Sequence, residues 1–145
     1  MKLVSTRNST HAVSFKHAIF DCMPADGGLY VPYSEHDLRS WILHMNEQTT
    51  FSTIAGSLTA ALLKEEISPV ISERIAATAF QGYSPRLRQL DDRLFLLELF
   101  HGPTGNHRDF GFLWLASALG HLLTIDEKNA IVIAPSTGAG GRSMA

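Results

Sequence analysis

The chain has 145 residues, of which 12 are Lys or Arg and 14 are Asp or Glu, and 45% of the residues are hydrophobic. This hydrophobic content excludes a disordered chain, and a net charge of −2 with scattered basic residues excludes a nucleic-acid-binding or anionic-membrane surface. Cys22 is the single cysteine, so neither an intramolecular disulfide nor a zinc site of paired cysteines can form.

The first part of the chain predicts short strands and amphipathic helices. In order, they are a strand at residues 2–5, a helix from the N-cap Ser14 to Cys22, a strand at 29–31, a helix capped by Ser34, a helix at 51–66 and a helix over 70–80. Pro24 and the turn residues after it separate the first helix from the second strand. These elements predict a small, mainly helical domain over residues 1–92.

A parallel sheet is predicted after residue 92. Residues 94–100 form a continuous apolar run, typical of a strand covered on both faces. A helix at 109–123, a second buried strand at 130–134 and a glycine loop before a helix at Arg142 complete a βαβ unit. The predicted fold class is therefore α/β, with the domain at 1–92 followed by an incomplete βαβ unit at 93–145. Because two strands make a poor sheet, we expect the N-terminal piece of a larger protein.

Two loops in this second part carry candidate binding residues. The loop at 136–141 offers hydroxyl and backbone N–H groups that suit a phosphate or carboxylate, and a plain strand-to-helix turn is the equal alternative. In the loop at 101–109, His101, His107 and Asp109 are the residues that a metal site would use. Their spacing matches no regular ligand pattern, so we expect no metal there.

Three motifs, in this order along the chain, resemble the threonine synthase family. Residues 2–7 read KLVSTR and resemble the family's opening Y-x-S-T-R. Residues 25–32 read ADGGLYVP and resemble its APDGGLYVP segment. Residues 99–104 read LFHGPT and are followed by Asp109 and Phe110, which is similar to the family's LFHGPT-L-A-F-K-D.

The resemblance implies a pyridoxal-phosphate enzyme of the tryptophan-synthase-β fold type that converts O-phosphohomoserine and water to threonine and phosphate. In the family, a lysine four residues after the threonine forms the Schiff base with the cofactor, and in this chain that cofactor-binding position is Arg108. Ser136, Thr137 and Gly138 correspond to a substrate-anion loop. Asp109 and His101 are interpreted as structural, so no catalytic residue is expected to be intact.

Three functional readings remain open. The chain is the N-terminal portion of a threonine synthase, or a non-catalytic binding or interaction module in which Arg108 replaces the lysine, or part of a protein that binds pyridoxal phosphate without a covalent bond. The expected partners are O-phosphohomoserine and either the remainder of the enzyme or a second copy, with no nucleic acid and no membrane. Because the N-terminus lacks the apolar core of a signal peptide, we expect a cytoplasmic location.

Overall fold

The computed structural model describes residues 1–144 and contains six helices and five strands in that part of the chain. They are β1 (Lys2–Ser5), β2 (Val13–Ser14), α1 (Phe15–Asp21), β3 (Tyr30–Pro32), α2 (Arg39–Leu43), α3 (Phe51–Leu63), α4 (Pro69–Ala79), β4 (Arg86–Asp91), β5 (Leu94–Glu98), α5 (Arg108–Ile125) and α6 (Ala139–Met144). No helix among these residues is long and apolar enough to cross a membrane.

The chain divides into two compact units. Unit 1 comprises Met1–Thr49 and Ile54–Glu73, and unit 2 comprises Thr50–Thr53 and the chain from Arg74 onward. The predicted domain boundary at residues 92/93 lies in the turn between β4 and β5. We describe each unit separately.

Unit 1 is built on a three-stranded antiparallel sheet in the order β2-β1-β3. The buried residues Leu3 and Val4 lie on the central strand, which agrees with the strand predicted at 2–5. Helix α1 follows β2 directly, and Glu66 holds its first turn by accepting hydrogen bonds from the backbone N–H groups of Phe15 and Lys16 at 2.9 and 3.1 Å. Leu63 and Ile67 complete the apolar interior of this unit.

Unit 2 has a core of aromatic and small residues. Phe51, Phe80 and Phe110 form a triad whose ring centroids lie 4.7, 5.7 and 6.2 Å apart. Ala118 and Leu122 continue this core along α5, which also contacts α6. Strands β4 and β5 form an antiparallel hairpin with an irregular register between Gln89 and Asp91.

The predicted buried parallel strand at 94–100 is wrong for this chain. Strand β5 pairs with β4 in antiparallel register, and the side chains from Leu94 to Leu97 are all exposed. An apolar run is compatible with both parallel and antiparallel pairing. Its hydrophobicity therefore predicts a strand but does not identify the neighbouring strand. The segment Arg86–Asp91 is polar and was not predicted as a strand, yet its adjacency through a short turn makes it the nearest hydrogen-bonding partner.

The second strand of the predicted βαβ unit, at 130–134, is absent from the structure. Ile131 is 91% exposed and Ile133 is 83% exposed, and no ladder of backbone hydrogen bonds includes them. A strand exists only through pairing with a neighbour, and both sheets of the described chain are antiparallel and formed by other segments. The fold within residues 1–144 is therefore a mixture of helices and antiparallel strands, without the predicted parallel pair. Helix α6 begins at Ala139, three residues before the predicted start at Arg142.

The two predicted serine caps provide a direct test of this helix assignment. Ser14 Oγ accepts a hydrogen bond from His17 N at 3.0 Å, whereas Ser34 caps nothing because α2 begins only at Arg39, whose N–H donates to Asp37 at 3.0 Å. Ser14→Ala should therefore lower the free energy of unfolding by about 1 kcal/mol, the usual loss for a removed N-cap. Ser34→Ala should leave it within about 0.5 kcal/mol of the parent, as for most surface substitutions. Urea denaturation checks both, and equal losses would contradict the assignment.

Candidate functional site

The loop between β5 and α5 is organised by the carboxylate of Asp109. This side chain is 0% exposed, and its Oδ2 accepts hydrogen bonds from the backbone N–H groups of Thr104 and Asn106 at 2.9 and 3.4 Å. Its Oδ1 accepts from Thr104 Oγ1 at 2.6 Å, and Ser143 is a further side-chain hydrogen-bond partner. One carboxylate therefore fixes the loop, the start of α5 and α6 relative to each other.

Two glycines allow the loop to wrap around this carboxylate. A Cβ atom at Gly102 would lie 2.5 Å from the Cβ and Oδ2 atoms of Asp109, which is a steric clash. Gly105 has a φ of +70°, a conformation that side-chain-bearing residues rarely adopt. The glycines are thus required by the close approach and by the turn.

The hydrogen bonds also set the charge of Asp109. Burial disfavours the ionised carboxylate, but the donors of Ser143, Thr104 and Asn106 outweigh that effect and lower the pKa of Asp109 to about 2. Asp109 is therefore ionised at neutral pH, and it occupies the first turn of α5, where a negative charge is favourable. Its lone pairs are used within the loop, which supports the structural role predicted for it.

Arg108 lies one residue earlier, at the first position of α5, with its side chain exposed. Its backbone N–H donates to Asn106 Oδ1 at 3.0 Å. Its Cδ lies 3.9 Å from the position that a Cβ of Gly140 would occupy, so the arginine stem runs beside the predicted anion loop. Within residues 1–144, the guanidinium makes no hydrogen bond or ion pair.

The loop at 136–141 is partly closed on itself. Ser136 Oγ accepts hydrogen bonds from the backbone N–H groups of Gly138 and Gly141 at 3.1 and 2.9 Å. Gly138 has a φ of +139°, and Ser136, Thr137 and Gly138 are all exposed. The structure thus brings Arg108 and Ser136 close to the same point beside Gly140, whereas Thr137 makes no side-chain hydrogen bond within the described chain.

The histidines of the loop lie apart from this arrangement. His101 stacks on Phe100 with ring centroids 4.6 Å apart, and its Nε2 lies 3.8 Å from a carboxylate oxygen of Glu98. His107 is exposed at the N-cap of α5 and forms no side-chain cap. Across the described residues, no group of three or more His, Cys, Asp or Glu side chains is arranged to hold a metal ion.

Unit 1 contains a second polar cluster, whose residues were not predicted as a site from the sequence. Asp26 Oδ1 accepts hydrogen bonds from Ser5 Oγ at 2.7 Å and from Gly28 N at 2.8 Å, and the Ser5 hydroxyl is the main cause of a lowered pKa for Asp26. Tyr30 donates to Asp21 at 2.5 Å, and this bond raises the pKa of Tyr30 to about 12. Ser5, Asp21, Asp26 and Tyr30 line a cleft of about 390 Å³.

The signal that could have found this cluster was present in the sequence. Residues 5–7 and 26–28 are the polar parts of two separate motifs, and the structure joins them directly. Arg7 Nη1 donates to the backbone oxygen of Asp26 at 2.9 Å, and a Cβ at Gly28 would lie 2.2 Å from Ser5 Oγ. The two motifs contact each other because β1 pairs with β3, so a contact between them would have predicted that pairing.

Comparison with known proteins identifies a family for this chain. A family model described as "Threonine synthase N terminus" matches residues 2–80. A threonine synthase from Pseudomonas aeruginosa is 27% identical over 146 residues, which cover 97% of this chain and 31% of that protein. The family predicted from the three motifs is therefore confirmed.

The solved structures give the same result for the fold. A threonine synthase from Brucella melitensis with PLP bound superimposes with a TM-score of 0.84 and 27% identity over 99% of this chain and 32% of its own. The threonine synthase from Escherichia coli gives a TM-score of 0.82 and 27% identity over 100% of this chain and 33% of its own. The chain thus spans about a third of the length of these relatives, at their N-terminal side.

The residues present do not fit covalent attachment of pyridoxal phosphate at the family's motif position. A covalent bond to the aldehyde requires a neutral primary amine, and the guanidinium of Arg108 has a pKa above about 12, so it stays charged and delocalised. The nearest lysine in unit 2, Lys128, lies beyond the opposite end of the 18-residue helix α5. No reaction step through the cofactor follows from this site.

The charge state of Asp109 predicts how the stability of unit 2 depends on pH. Its pKa of about 2 lies below the value of about 3.9 for an unfolded aspartate, so its contribution is complete above about pH 5 and is lost as the pH falls through 4 to 2. Asp109→Asn should destabilise the protein by about 2 kcal/mol at pH 7, the scale of one hydrogen bond to a charged group. It should also reduce the further loss of stability between about pH 5 and pH 2, which we call the acid limb.

Denaturant unfolding at a series of pH values measures both effects. Asp92→Asn is the matched control, because Asp92 is exposed in the β4–β5 turn. It should retain the acid limb and almost all of the stability. An unchanged acid limb in Asp109→Asn would contradict the role given to this carboxylate.

Proposed function

The chain belongs to the threonine synthase family, and we propose that it forms the N-terminal part of a threonine-synthase-like protein. The observation that carries this proposal is the apolar surface of unit 2. Alternate side chains of a strand point to opposite faces, and Leu94, Phe95, Leu96 and Leu97 of β5 are all exposed, so both faces of β5 are apolar and open. Ile131 and Ile133 add a second exposed apolar segment.

Further chain of the kind that the solved relatives possess would cover these surfaces. We propose that it supplies parallel neighbours for the segment at 130–134 and covers the exposed faces of β5, which keeps its antiparallel pairing with β4. In that setting, the 130–134 segment gains the hydrogen-bonding neighbours that it lacks within residues 1–144. Removing such apolar surface from water is the main favourable contribution to association.

The proposed family reaction is the pyridoxal-phosphate-dependent conversion of O-phosphohomoserine and water to threonine and phosphate, in the cytoplasm. In this proposal, Ser136, Thr137 and Gly138 form the substrate-anion loop, and Arg108 lies at the cofactor-lysine position. The cofactor would supply stabilisation of a carbanion. The chain's own contribution is positional, since Asp109 holds the loop that presents residue 108 next to Gly140. We do not assign catalysis to these 145 residues alone.

Arg108 favours a second candidate function, a non-catalytic binding or interaction module derived from the family. A guanidinium binds phosphate or carboxylate through fixed hydrogen bonds without reacting with an aldehyde. A module that works alone is stable as a monomer, whereas the N-terminal part of a larger protein requires a partner for its apolar surface. The two candidates therefore differ in the state of association.

Sedimentation velocity tests the proposal on the purified chain, alone and mixed with the part of the Escherichia coli threonine synthase that this chain does not match. We expect self-association at micromolar concentration and formation of a mixed complex with the added part. Leu97→Asp, which places a charge on the apolar hairpin, should weaken both associations by at least tenfold, which corresponds to about 1.4 kcal/mol.

Gln89→Asp is the control, because it introduces the same charge on a polar, exposed position of the same hairpin. It should have little effect on either association. A monomer that ignores the added part and melts in a sharp, reversible two-state transition would contradict the proposal and support the stand-alone module.

A further inference from the structure

Hydrogen bonds that do not involve the side chain of Arg108 fix the loop between β5 and α5. The Asp109 carboxylate accepts from two loop N–H groups and from the Thr104 hydroxyl, and Thr104 Oγ1 lies 3.1 Å from Ser143 Oγ. Gly102 leaves the space that the carboxylate needs. A site that had lost its function through general degeneration would show broken contacts here, and this loop shows none.

The side chain of Arg108 takes no part in that network. The only hydrogen bond of residue 108 to the loop comes from its backbone N–H, which donates to Asn106 Oδ1. The side chain is exposed and unpaired within residues 1–144, so replacing it leaves all of the loop's hydrogen bonds unchanged. The arrangement of the loop is therefore independent of what residue 108 carries.

No other primary amine of unit 2 can take over the position. Lys128 is the only lysine of that unit, and it forms an ion pair with Asp126 at 3.4 Å beyond the C-terminal end of α5. An 18-residue helix is about 27 Å long, so this amine lies far from residue 108. Lys2, Lys16 and Lys64 all belong to unit 1.

We infer that unit 2 has no lysine placed to attach pyridoxal phosphate covalently beside the 136–141 loop, and that a single exchange at residue 108 would supply such an amine without disturbing the loop. The inference rests on the proposed assignment of Arg108 to the cofactor-lysine position. Arginine and lysine share the same stem as far as Cδ, and that atom already lies beside Gly140 and the Ser136 loop. Arg108→Lys therefore places an amine near Gly140 and the hydroxyl of Ser136.

Reductive labelling tests the inference on the full chain. Each variant is incubated with pyridoxal phosphate and treated with borohydride, and the labelled lysines are quantified by peptide mass spectrometry. The lysine amine forms a bond to the aldehyde carbon and releases water, and borohydride supplies the hydride that makes the bond permanent. In the parent chain, we expect only weak, unsaturable labelling of surface lysines and none in the peptide that contains residue 108.

In Arg108→Lys, we expect the new lysine to be labelled about tenfold more than the lysine of a His107→Lys control. His107 is the neighbouring exposed position and forms no side-chain cap, so its replacement is tolerated, and it places a lysine one residue away from position 108. Thermal unfolding of both variants should match the parent, which separates labelling from folding.

Two results would overturn the inference. Equal labelling of lysines 107 and 108 would show that the loop no longer favours the cofactor, so the loss is not confined to one side chain. Saturable, one-to-one labelling of Lys128 in the parent chain would show that unit 2 already has a lysine placed for covalent attachment. Because labelling uses the chain without any added part, its failure is distinguishable from failure of the association that tests the proposed function.

Discussion

The buried carboxylate of Asp109 is the interaction on which the organisation of unit 2 depends. It satisfies backbone donors of a glycine-containing loop, the hydroxyl of Thr104 and a partner on α6, and it does so at the first turn of α5. Removing a charged acceptor from such a network leaves part-buried donors without their partner, which costs more than one hydrogen bond contributes. The loop, the first turn of α5 and α6 are therefore held together by one ionised group.

This arrangement separates the scaffold of the site from its chemistry. The bonds that fix the loop are made by backbone groups and by side chains other than that of Arg108, namely those of Thr104, Asn106, Asp109 and Ser143. The geometry of the loop is consequently independent of the side chain at residue 108.

Features that depend on neighbouring residues were predicted from the sequence more accurately than features that depend on distant partners. The strand at 2–5, the Ser14 cap and the helix that begins near Asp109 all agree with the structure, because each is determined within a few residues. The segment at 130–134 was predicted as a strand from hydrophobicity alone, and a strand requires a neighbour that no local pattern supplies. For the site, Asp109 was interpreted as structural from the sequence, but the donors that its carboxylate binds could be identified only from the structure.

Amide hydrogen exchange at Thr104 and Asn106 tests the central claim most directly, namely that Asp109 orders the loop independently of residue 108. Both N–H groups donate to the buried carboxylate, so their exchange should be slow in the parent chain and equally slow in Arg108→Lys. Both should exchange much faster in Asp109→Asn, because the partner of these groups is then no longer a carboxylate. Exchange in the parent as fast as at the exposed Gly82, or fast exchange in Arg108→Lys, would contradict the account.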